Sequence, residues 1–265
     1  MRHANRYNLL GQIPVVGKIF RDFDKSAGEN GIHKTVTDVI KKTETKLIVH
    51  GLIKDTIEIL KTKPVILVAT HAFDFEVLLL IAALPRRDDI FTIAASDLMG
   101  MGPNANSYII PMFIHKYFDE GKHKLSVKIA KLLRLGPRLS PSDAHRRNVE
   151  SIAYAASKVK DGGLVIIFPE GILKRGSPWL SGVGYLLRDI YKKRSAFYAR
   201  AYIQGTSSFD ILRLIPIVRK LFPPLKVYFD RPKEIALILN ERDNPKEITK
   251  NLQAEYNKWV SSIVS

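Results

Sequence analysis

The chain has 265 residues, enough for one large domain and short for two independent ones. Apolar residues make up 46% and cysteine is absent, which excludes global disorder, disulfides, thiolate zinc sites and a cysteine nucleophile. With 42 Lys+Arg against 26 Asp+Glu the formal charge is +16, which favours anionic partners such as phospholipid headgroups, phosphorylated cofactors or nucleic acid.

The first eight residues are polar and basic, with no apolar stretch of signal-peptide type after them. Across 8–24, Leu9, Leu10, Ile13, Val16, Ile19, Phe20 and Phe23 recur at helical spacing, interrupted by Pro14 and Gly17. One or two short amphipathic helices are expected there, either packed on the domain or dipping into a membrane. Residues 25–33 are polar and glycine-containing and read as a loop, and 34–44 as a helix. A strand is expected over 46–51, a short helix over 53–62, and a buried, proline-opened strand over 64–70. A helix over 74–84 and a strand over 90–95 follow. Residues 98–115 lack Asp, Glu, Lys and Arg, but Gly100, Gly102, Pro103, Asn104, Asn106 and Pro111 spoil them as a membrane span, which needs about 20 mostly apolar residues.

Residues 124–135 set Leu125, Ile129, Leu132 and Leu133 on one helical face and Lys124, Lys128, Lys131 and Arg134 on another, a pattern suited to an anionic membrane surface. A second basic and apolar stretch runs over 211–222. Between them a helix is expected over 143–160, with Ser142 or Asp143 as N-cap. Strands are expected over 164–168, 196–203 and 225–229. A final helix opens at Pro245, with Ile248, Leu252, Tyr256, Trp259, Val260 and Ile263 on its apolar face. Strands alternating with helices predict an α/β fold: a mixed, largely parallel sheet flanked by helices, with amphipathic N-terminal helices. The expected organisation is an N-terminal helical segment over 1–44 and an α/β domain over 45–265.

Two stretches carry chemistry. In Thr70-His71-Ala72-Phe73-Asp74-Phe75-Glu76, a histidine falls where an apolar strand ends and an acid follows five residues later. Strand carboxyl ends collect reactive groups in α/β folds, and a histidine oriented by a carboxylate is a general base. Asp74 is a competing partner. In Phe168-Pro169-Glu170-Gly171 a second strand breaks into a turn, with Glu170 expected to be exposed and Lys174 and Arg175 offering donors to a phosphate.

Together, in this order and about 100 residues apart, these stretches resemble the glycerolipid acyltransferase family, and within it the bacterial 1-acylglycerol-3-phosphate acyltransferases. The resemblance spans roughly 45–232 and includes the glycine-containing 179–184 and Gln204-Gly205-Thr206, which is similar to the end of the family's fourth block. It departs at Thr70, usually asparagine, and at Glu76, usually aspartate. It departs also at Ile172 and Leu173, usually threonine and arginine, and at Arg200, which stands at the fourth-block proline.

The resemblance implies transfer of a fatty acyl group from a thioester donor (acyl-CoA or acyl-carrier protein) to the hydroxyl of a lysophospholipid such as lysophosphatidate. His71 would be the base and Glu76 its orienting acid. Phe168, Pro169, Glu170 and Gly171 would shape the acceptor site. Lys174, Arg175 and Arg138 would hold a phosphate, with Arg146 or Arg147 as alternatives to Arg138. The alternative is a non-catalytic lipid-binding relative of the same family. No cofactor, metal or nucleic-acid partner is expected, since the other histidines are scattered and no nucleic-acid motif is present. The expected location is peripheral, on the cytoplasmic face of the cell membrane.

Overall fold

The computed structural model describes residues 12, 14–70, 75–113, 139–171, 176–191, 195–207, 210, 213, 222–240 and 242–264. Among them the elements in chain order are α1 (Pro14–Lys42), β1 (Leu47–His50), α2 (Lys54–Thr62), β2 (Val65–Ala69), α3 (Phe75–Ala83), β3 (Ile90–Ala95), the short α4 (Pro103–Asn106) and β4 (Ile109–Met112). Then come α5 (Pro141–Lys160), β5 (Leu164–Ile167), α6 (Gly182–Ile190), β6 (Phe197–Gln204), β7 (Leu225–Phe229), β8 (Lys233–Glu234), the short α7 (Ile235–Ile238) and α8 (Pro245–Val264).

The described strands form one mixed sheet in the order β1-β7-β6-β2-β5-β3-β4, with β8 beside β6. β6, β2, β5, β3 and β4 run parallel. β7 is antiparallel to β6 and carries β1 parallel to itself at the sheet edge. Every residue of β2 and β5 is buried, which is why both read as unbroken apolar runs rather than alternating ones. Val65, Leu67 and Ala69 face a core shared with α1 and α3, while Ile66 and Val68 face one shared with α5, α6 and α8.

The expected α/β class and the mostly parallel sheet hold. The loop expected over 25–33 does not. Helix continues through it, and the irregularity is confined to Gly31, at φ 77 and ψ 164. The polar residues there form an outer helical face: Lys25 and Glu29 approach to 3.8 Å, while Ala27 and Ile32 are buried. Ser26 and Thr35 hydroxyls meet at 2.8 Å across the kink. Asp24 accepts from the Ala105 N–H at 2.8 Å, capping α4 and binding α1 to the sheet's β4 side. The helix expected to begin at Ser142 or Asp143 starts earlier. Ser140 is its N-cap and accepts from the Asp143 N–H at 3.1 Å. Pro141 takes the first helical position, where its missing N–H costs nothing. No described helix is long and apolar enough to cross a membrane. The basic amphipathic stretch 124–135 and most of 211–222 lie outside the described residues.

Candidate active site

Thr70, at the end of β2, is buried, and its chain neighbour His71 opens the stretch 71–74, which lies outside the described residues together with Asp74. The chain is described again at Phe75. Glu76 stands in the first turn of α3 with no exposed surface. A carboxylate there benefits from the positive end of the helix dipole. The Thr206 hydroxyl, two residues past the end of β6, donates to Glu76 Oε1.

β5 lies directly beside β2, about 5 Å away by ordinary strand spacing. It ends in the Phe168–Gly171 turn, closed by the Gly171 N–H donating to the Phe168 carbonyl at 3.0 Å. Gly171 takes φ 62, a left-handed backbone that suits glycine. Phe168, Pro169 and Glu170 are buried. The expectation that Glu170 is exposed is therefore corrected. Its carboxylate turns inward, and Oε1 accepts from the Gly176 N–H at 2.6 Å, drawing the chain back over the turn. Of the residues expected to bind phosphate, Arg138, Lys174 and Arg175 lie outside the described residues.

Arg146 and Arg147 sit near the start of α5. Arg146 is exposed and bonds Glu150 at 3.0 Å. Arg147 lies over the Phe113 ring at 5.1 Å, on a cleft of about 430 Å³ that Ser151 and Tyr154 also line. That cleft is beside β4, three strand spacings from β2, or roughly 14 Å. Arg200 is turned away from the reactive end: it is buried in mid-β6, its Nε donates to Asp230 at 2.9 Å and its guanidinium lies over Trp259 at 5.2 Å.

Three further features support the site. Thr206 belongs to the Gln204-Gly205-Thr206 block. Tyr256 lies on the apolar face of α8. Yet its hydroxyl accepts from the Thr70 N–H at 3.3 Å, meets Thr70 Oγ1 at 3.1 Å and donates to the Ala201 carbonyl at 2.8 Å. A tyrosine among Ile248 and Leu252 is a signal in itself, because a buried phenol needs a polar partner. The third feature is a buried pair beyond Thr206. Arg213 Nε donates to Asp210 Oδ1 at 2.5 Å, and Asp210 also accepts from the Ser207 N–H. Among the described residues no cluster of three or more histidines and acids could hold a metal. His33 is committed to the Leu84 carbonyl at 2.9 Å, and His50 stacks on Tyr228 at 4.6 Å.

The α/β sheet thus sets a buried acid beside one central strand end and a Phe-Pro-Glu-Gly turn at the end of the next. A family model described as Acyltransferase matches residues 51–203, more than half of the chain, and the chain belongs to that family. Its fold resembles that of the 1-acyl-sn-glycerophosphate (LPA) acyltransferase PlsC from Thermotoga maritima. The TM-score is 0.54 at 18% identity, over 98% of this chain and 95% of that one. No curated protein matches the chain.

Proposed function

We propose that this acyltransferase moves a fatty acyl group from a thioester, acyl-CoA or acyl-carrier protein, to the hydroxyl of a lysophospholipid such as lysophosphatidate. It works as a peripheral protein at the cytoplasmic face of an anionic membrane. The observation that carries the reading is Glu76: a fully buried acid, held by Thr206 at the sheet's reactive end, five residues beyond a histidine. Fold likeness to an acyltransferase that acts on 1-acyl-sn-glycerophosphate supports the choice of acceptor.

In this mechanism His71 takes the proton of the acceptor hydroxyl as its oxygen attacks the thioester carbonyl. Glu76 orients the imidazole and stabilises the imidazolium that forms. Collapse of the tetrahedral intermediate breaks the carbon–sulfur bond, and the proton passes from His71 to the departing thiolate. The ester product and a free thiol result, with no acyl-enzyme. Phe168, Pro169, Glu170 and Gly171 shape the acceptor site. Lys174, Arg175 and Arg138 bind its phosphate as cationic donors.

The test is acyl transfer by purified protein in mixed micelles, wild type beside His71→Ala, with long-chain acyl-CoA or acyl-carrier protein as donor and lysophosphatidate among several lysolipid acceptors. Base catalysis is worth roughly 10²–10⁴-fold, so the variant should lose nearly all turnover while staying folded. Turnover equal to wild type would refute the assignment. Lipid binding without transfer, unaffected by the substitution, is the result a non-catalytic relative would give.

A further inference from the structure

We propose that Tyr256 is a positioning residue for acyl transfer: its hydroxyl bonds both Thr70 at the end of β2 and Ala201 on β6 and so sets where Thr70, and with it the attached His71, leaves the sheet. The inference rests on the reading of His71 as general base. The parallel register pairs Ala69 with Ala201. In a parallel ladder of that register the next rung would run from the Thr70 N–H to the Ala201 carbonyl. The Tyr256 oxygen bonds to both of those groups. It accepts from the Thr70 N–H at 3.3 Å and donates to the Ala201 carbonyl at 2.8 Å. Since the phenol's one proton goes to Ala201, the 3.1 Å contact with Thr70 Oγ1 has the threonine as donor. The phenol therefore ties β2 to β6 one residue before the base.

The same helix holds the second site strand. Gln253, one turn before Tyr256, accepts from the Trp179 N–H at 3.0 Å and donates to the Ser177 carbonyl at 2.9 Å. The Leu180 N–H donates to the Pro169 carbonyl at 2.8 Å, tying that stretch to the Phe168–Gly171 turn. The Trp179 and Tyr256 rings are 5.3 Å apart. One turn of α8 thus braces the strand end before His71 and the chain downstream of Glu170. The family match ends at residue 203, so this brace is supplied from outside the matched region.

Tyr198 provides the internal control. It lies on β6 in the same core, and its buried hydroxyl has no hydrogen-bond partner among the described residues. The experiment compares full-length wild type, Tyr256→Phe, Tyr198→Phe, Thr70→Val and His71→Ala. It measures thermal unfolding, kcat and KM with long-chain acyl-CoA and lysophosphatidate in mixed micelles, and the imidazole NMR titration of His71, identified by its loss in His71→Ala.

Tyr256→Phe should lower kcat by roughly 10–100-fold, as displacement of a reacting group does, leave KM nearly unchanged, and move the His71 titration. Thr70→Val should shift both in the same direction by less, and it decides the matter should Tyr256→Phe not fold. Tyr198→Phe should match wild type in both. Wild-type kcat and an unmoved His71 titration in Tyr256→Phe overturn the proposal. If His71→Ala is inactive while Tyr256→Phe is normal, only the positioning role falls. If His71→Ala turns over like wild type, the reading of the base falls instead, while a moved His71 signal in Tyr256→Phe still supports the brace.

Discussion

Glu76 has no exposed surface, and an acid so placed needs hydrogen-bond partners for its oxygens. Thr206 provides one such bond. Glu76→Gln keeps the shape and can still accept from Thr206, but it removes the charge that would steady an imidazolium. It should therefore lower kcat/KM by roughly 10²-fold or more while the protein remains folded; a steady-state assay beside a thermal melt checks both halves. Far from the site, Arg87 is a residue on which the fold depends. Its buried guanidinium donates to the Leu60, Lys63 and Gly162 carbonyls at 2.8, 3.0 and 2.9 Å and to Asp89 at 2.6 Å. Arg87→Ala strands all of them and should cost about 3–5 kcal/mol in urea unfolding. Burial works against the charged form of Asp89, but the Arg87 hydrogen bond and charge outweigh it and hold its pKa below the ordinary carboxylate value. A carboxylate with a depressed folded pKa stabilises the fold above its unfolded value of about 3.9. That stabilisation is lost as pH falls through the folded value. The stability gap between wild type and Asp89→Asn should therefore be open at neutral pH and close in acid. A gap unchanged at the acid end would show that the charge is not its source.

Among the elements, α6 and α8 approach closely at a glycine. A Cβ on Gly184 would lie 1.9 Å from the Pro245 carbonyl oxygen, at the start of α8, whereas one on Gly182 would meet only Ile152 Cδ1 at 3.5 Å. Gly184→Ala must push the two helices apart, at about 1–3 kcal/mol or more, and should lower acyl transfer as well, because α8 braces the strand end before His71. Gly182→Ala, two residues away on the same helix, should be neutral in both measurements. Equal effects of the two substitutions would remove the helix contact as the explanation. The kink at Gly31 has a similar logic. Helix on its near side reaches Asp24 to α4, and helix beyond it buries Val36 and Ile40 against α3.

For the whole molecule, a formal charge of +16 matters through its partners. Each basic residue near an anionic bilayer contributes about 1 kcal/mol, screened by salt. Co-sedimentation with anionic vesicles should fall steeply as salt rises and exceed binding to neutral vesicles throughout. Equal binding to both would point to apolar insertion instead. Much of this molecule could be read in one dimension. β2 and β5 were legible because a strand buried on both faces must be apolar at every position, and α8 because one stripe of its residues faces a core. The site stretches were legible because they lie within a few residues of those strand ends. The helix through residues 25–33 was not, since polar residues on one helical face and a polar loop have the same composition. Nor was the inward turn of Glu170, which depends on Gly176 folding back over it. Sequence alone thus determined the fold class, the family and the order of the two site stretches, all properties of local pattern. Only the tertiary structure decided that Thr206 holds Glu76, 130 positions earlier, and that Tyr256 bonds both Thr70 and Ala201. Such partners are chosen by how strands and helices are brought together in space, and no local pattern records that choice.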